Sequence, residues 1–199
     1  MKQEQLLFVW NKVHKLTLVV QFIRIIVKLY ILNIIISYVE ELKKLVESVE
    51  ASEEFKEVKD SVYLCSLFSI MENDKGEWQV DYYNHKEDKM VSFVVNDKVS
   101  REESKIFKEK ESKVDRLEID KVKIDLKEAF KIANKLHKDK YNSETVNKKI
   151  VILQVVKKPI WNLTYLTAAF NIINFKIDAV SGEIISDNKS SALSLGSKK

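Results

Sequence analysis

Lys148 to Asp187 reads KKIVILQVVKKPIWNLTYLTAAFNIINFKIDAVSGEIISD, and its pattern decides the fold. Ile150 to Val156 is apolar and mostly β-branched, with Gln154 the one polar interruption, as in a strand from the middle of a sheet. Lys157-Lys158-Pro159 interrupts it, because proline brings no amide hydrogen to a ladder. Trp161, Leu163 and Tyr165 then alternate with Asn162 and Thr164, a period of two that gives a strand one apolar face. A third strand is expected over Asn174 to Ala179, with Phe175 and Ile177 on one side. Ser181-Gly182 supplies the positive φ of a tight hairpin, and Glu183 to Ser186 returns as a fourth strand.

A one-sided sheet needs cover, and the cover stands directly upstream. Leu126, Ala129, Phe130, Ala133 and Leu136 recur at helical spacing between Leu126 and Lys138, with Lys127, Glu128, Lys131, Asn134, Lys135 and Lys138 opposite. Asp125 followed by Glu128 fits a capping-box-like start.

This order of helix, strands and a closing hairpin Lys176-Ile177-Asp178-Ala179-Val180-Ser181-Gly182-Glu183-Ile184-Ile185 resembles the PepSY domain family over residues 122–187. The family hairpin falls on Asp178, Ala179, Gly182 and Glu183. The resemblance implies a non-catalytic module that binds or restrains peptidases or their precursors.

Working towards the N-terminus, Val114 to Val122 is a charged connector, and Ser100 with Glu103 reads as a capping box opening a short charged helix to about Glu111. Three strands precede it. Ser61 to Met71 alternates, with Val62, Leu64, Phe68 and Ile70 assigned to one face and Tyr63, Cys65, Leu67 and Ser69 to the other. Trp78 to Tyr82 and Met90 to Val95 follow after polar turns. Trp78-x-Val80-x-Tyr82 matches Trp161-x-Leu163-x-Tyr165, which suggests a second, diverged copy of the unit over about 37–100. Its roof is an amphipathic helix over Ser37 to Glu50, with Val39, Leu42, Leu45, Val46 and Val49 inward.

Leu16 to Val39 is almost wholly apolar and long enough to span a bilayer, yet Gln21, Arg24 and Lys28 lie inside it. Each central cation costs about 2.5–3.5 kcal/mol on insertion and each aliphatic returns about 0.3–0.6, so spanning comes out near balance. The polar residues form a narrow stripe. Leu18, Val19, Phe22, Ile25, Ile26 and Leu29 are therefore candidate membrane-contact residues, with packing against another chain or the rest of this one the competing expectation. No small-residue cleavage site follows, which disfavours a cleavable signal peptide. A start downstream of Met1 is a further alternative.

The expected architecture is therefore α+β: a hydrophobic helix over 1–36, tandem helix-plus-antiparallel-sheet (PepSY-like) units over 37–112 and 113–188, and a loose tail over 189–199. Chemistry finds few candidates. With 199 residues and a net charge of +4, lysines and acids are interspersed, and arginine is confined to Arg24, Arg101 and Arg116. That argues against nucleic acid, where arginine is the usual reader of phosphate and bases. Cys65 is the sole cysteine, so no internal disulfide or cysteine-based zinc site is possible. His14, His85 and His137 lack partners at ligand spacing, and Asp115, Glu118, Asp120 and Asp125 alternate with cations as a solvated surface does. Trp78, Tyr82, Tyr83, Trp161 and Tyr165 are read as core, not as a stacking platform. No catalytic, cofactor or metal residue, no cofactor and no small-molecule substrate is expected. The chain reads as a non-enzymatic module for a protein or peptide partner, or as a structural protein held at a membrane surface by its N-terminal helix. Its location is cytoplasmic or membrane-associated.

Overall fold

Residues 20–21, 23–24, 26, 40–105 and 113–195 are described by a computed structural model of the chain. The chain divides into two compact units, Met1–Tyr38 and Val39–Lys199. In the first, the described residues at 20, 21, 23, 24 and 26 are helical.

The second unit is built on one antiparallel sheet of eight strands: β1 (Val62–Met71), β2 (Trp78–Asn84), β3 (Lys89–Val95), β4 (Val99–Lys105), β5 (Val146–Val156), β6 (Lys158–Thr167), β7 (Asn171–Asp178) and β8 (Ile184–Ser191). Their order across the sheet is β4-β3-β2-β1-β5-β6-β7-β8. This corrects the expectation of tandem helix-plus-sheet units. Two meanders exist, but β1 and β5 pair antiparallel from Ser66 opposite Gln154 to Met71 opposite Lys149, so the ladder runs unbroken between them. The reason lies in composition. β1 and β5 are apolar on both faces and suit the middle of a sheet, whereas β4 (VSREESK) and β8 (IISDNKSS) carry the polar sequences of edges.

Helices cover one face. α1 (residues 40–50) buries Leu42, Val46 and Val49, and the Tyr82 hydroxyl donates to Glu50 Oε1 at 3.1 Å. α2 (Glu53–Lys56) is capped by Ser52, and Phe55 sets its ring 4.8 Å from that of Tyr82. α3 (Leu126–Lys140) starts on Asp125, whose carboxylate accepts from the Glu128 amide at 2.6 Å, and buries Leu126, Ala129 and Ala133. Under it, Trp161 Nε1 donates to the Ile124 carbonyl at 2.8 Å and the Tyr165 hydroxyl to Asn134 at 2.7 Å. Each large apolar side chain buried here contributes roughly 1.5–3 kcal/mol. Residues 37–39 of the expected first helix lie outside the described residues.

Two local expectations are overturned. Ser100 and Glu103 do not open a helix. Val99–Lys105 is strand β4, held by a full register with β3 and by Arg101, which reaches Glu57 at 2.7 Å and the Glu54 carbonyl at 3.2 Å. Long-range pairing outweighs a local cap. In β1 the register slips between Leu64 and Ser66, a bulge at Cys65. Val62 and Leu64 therefore share the helix-covered face with Leu67, Ser69 and Met71, while Phe68 and Ile70 turn to the opposite face. At the C-terminal end, β8 continues to Ser191 and a short α4 (Ala192–Leu195) follows.

Candidate functional site

The register of all eight strands shows what lies on the uncovered face. Phe68 sits opposite Ile152 and Ile70 opposite Ile150, an apolar quartet astride the β1–β5 seam. Val94 and Gln79 continue one row through β3 and β2, and Phe68, Ile70, Trp78, Gln79 and Val94 line a depression of about 320 Å³. Ile70 is 49% exposed, and Phe68, Ile150 and Ile152 are half-buried. No helix of Val39–Lys199 among the described residues packs over them.

Polar side chains flank the quartet and satisfy one another. On the β2 side, Asp81 Oδ1 accepts from Gln79 Nε2 at 2.6 Å and Ser92 Oγ at 2.7 Å, and Oδ2 accepts from Ser66 Oγ at 2.8 Å. On the β6 side, Asn174 Nδ2 donates to Asn162 Oδ1 at 2.6 Å and Thr164 Oγ1 at 2.8 Å. Apart from the Asp81 carboxylate on β2, charges stand farther from the quartet: Glu102 on edge strand β4, Lys176 on β7 next to the other edge, Lys148 paired with Glu72 at one end, and Lys158 paired with Asp178 at the other. An apolar centre inside a polar rim is the anatomy of a protein-binding surface.

A second concavity, about 590 Å³, opens between α1, the start of β1 and the connector at 116–120. Several of its polar groups are already engaged. Lys43 and Asp120 pair at 2.5 Å, raising the lysine and lowering the aspartate, and Arg116 lies 4.8 Å over the Tyr63 ring. Burial, helped by Glu50, pushes the Tyr82 phenol up and keeps it a hydrogen-bond donor. The lining holds no nucleophile with a base poised beside it.

The residues singled out in the sequence scatter. Of Leu18, Val19, Phe22, Ile25, Ile26 and Leu29, only Ile26 is described: it is helical and 49% exposed, and the others lie outside the described residues, as does His14. Asp178, Ala179, Gly182 and Glu183 do come together, as a structural latch. Asp178 accepts from the Val180 and Ser181 amides at 2.7 and 3.0 Å, and Gly182 has φ 77°. The carbonyl of buried Ala179 receives the Lys123 and Ile124 amides, fastening the segment that leads into α3. Glu118 pairs with Lys121, Asp125 caps α3, and His85 stacks by Tyr63. Among the described residues no group of three His, Cys, Asp or Glu could hold a metal ion. Tyr82, Trp161 and Tyr165 are buried on the helix-covered face.

The seam quartet is the part that sequence reasoning missed. Its signal was present: both strands carry apolar residues on each face, twice what one helical layer can cover.

No family model matches the chain, and none of the curated proteins does. One solved structure that matches is a crystal structure of a "putative lipoprotein" from Clostridium difficile 630, with a TM-score of 0.47 and 14% identity over 69% of this chain and 88% of that one. That likeness is too loose to assign fold or function.

Proposed function

We propose that the chain is a non-catalytic binding module that receives a protein partner on the uncovered face of its sheet. The observation that carries this is the apolar quartet Phe68, Ile70, Ile150 and Ile152 at the centre of a face whose polar flanks are already hydrogen-bonded. The β4 edge suits a partner less well, because Arg101, Glu102, Glu103 and Lys105 oppose strand addition. The resemblance of residues 122–187 to PepSY domains supports a binding role and makes a peptidase one partner to look for. A light-activated cross-linking amino acid placed at Ile70 in the full chain, in cells, tests the reading. One discrete, identifiable protein adduct is expected from position 70 and none from Lys127 on the outer side of α3; no adduct, or the same adducts from both positions, would sink it.

One observation favours membrane anchoring as a second role. Val20, Ile23 and Ile26 are 46%, 54% and 49% exposed at successive intervals of three along a helix, an apolar stripe bordered by Arg24, which with Gln21 is also exposed. No described helix is long and apolar enough to cross a membrane. Contact along the surface predicts that the full chain floats with anionic vesicles and that I23D with I26D abolishes flotation. Equal flotation of both forms, or of neither, removes this role.

A further inference from the structure

The binding-module reading leaves the partner open. Resting on that reading, we propose that the partner is a second copy of this chain, docked sheet to sheet through the uncovered face about a two-fold axis over the β1–β5 seam. The first support is position. Four strands lie on either side of the seam, so the quartet occupies the middle of the sheet. A two-fold axis there lays quartet on quartet and lets the two faces overlap along their whole width. A patch near one edge would leave half of each face uncovered. The contact is isologous and closes on itself, which limits assembly to a pair.

The second support is area. Eight strands at about 4.8 Å spacing and about seven residues of about 3.3 Å rise give a face of roughly 800 Å². That matches the roughly 800 Å² per partner that stable protein interfaces bury. Two such faces stacked about 10 Å apart form a β-sandwich, the ordinary way to cover the second face of a sheet.

The third support is the state of the polar groups. Covering a polar face normally leaves donors and acceptors without water. Here Asp81, Ser66, Ser92 and Gln79 on one side, and Asn162, Thr164 and Asn174 on the other, are bonded within their own sheet before any partner arrives. The Asp81 carboxylate beside the quartet takes three of these bonds, and Glu102, Lys148, Lys158 and Lys176 stand farther out, towards a rim that stays wet.

Sedimentation of the purified full chain, with a cysteine cross-link, tests the pairing. Native Cys65 is buried, with its thiol pushed up to about 12 by desolvation, and stays silent. I150C treated with a short bismaleimide is expected to give a covalent dimer, and K127C is not. I152K, which places a charge at the seam, is expected to shift the sedimenting species from dimer to monomer with unchanged circular dichroism. A monomer at 100 μM or so, a dimer that survives I152K, or equal cross-linking from positions 150 and 127 overturns the proposal. A monomer that nevertheless yields a discrete adduct to another protein from position 70 overturns the second copy alone and leaves the binding module standing.

Discussion

Asp178 shows how one side chain ties the closing hairpin to the sheet. Lys158 Nζ lies 2.5 Å from its carboxylate, and that contact, ahead of the Val180 and Ser181 amides, holds the carboxyl down at about 2 against an ordinary 3.8, with burial acting the other way. A carboxyl lowered by folding stabilises in full above the unfolded value and loses that contribution as pH falls towards the folded one. Stability should therefore decline from about pH 4 to about pH 2, and D178N should flatten the decline in acid titrations followed by circular dichroism. Glu144, lowered to about 2 chiefly by Lys189 and then by Asn171, titrates in the same window, so the flattening is partial. Ser69 makes the opposite case. Its hydroxyl is buried at the seam with no hydrogen-bond partner among the described residues, so S69A is expected to be neutral or to stabilise by up to about 1 kcal/mol in urea unfolding. A clear loss would mean that the hydroxyl has a partner. At Gly182, φ is 77° and a methyl group on its Cα would stand only 3.3 Å from Ile132 Cδ1. G182A should therefore cost about 1–2 kcal/mol by the same measurement.

At the scale of elements, caps and edges follow from local chemistry with one exception. α3 starts where Asp125 accepts the Glu128 amide, and D125A should cost about 0.5–2 kcal/mol and raise hydrogen exchange in the first turn of that helix before the rest. β4 is the exception: its capping-box pattern was legible and led to the wrong element. Seven register pairs with β3 and the Arg101–Glu57 contact outweigh one potential cap, and no window of β4 alone contains that information. The bulge at Cys65 is a similar case. Strict alternation put Phe68 and Ile70 with Val62 and Leu64, and one inserted residue moved them to the other face. The candidate site was hidden by that single residue.

At the scale of the molecule, one continuous sheet behaves differently from two separate units. Leu67 and Leu153 face each other across the seam, both fully buried. L153A should cost about 2–5 kcal/mol and lower the opening free energy of amides in β2 and β7 together, as read by native-state hydrogen exchange. A loss confined to the strands of one half would mean that the seam does not couple them.

The strands other than β4, their turns, the α3 cap and the Asp178–Gly182 hairpin were written in the sequence, because each depends on residues within a turn or two of one another. So was the doubly apolar character of β1 and β5. Which strands become neighbours, and which apolar face the described helices of Val39–Lys199 leave uncovered, was decided only in three dimensions. A period of two is the same whatever partner a strand takes, and the β1–β5 pairing joins residues some eighty positions apart that no local pattern connects.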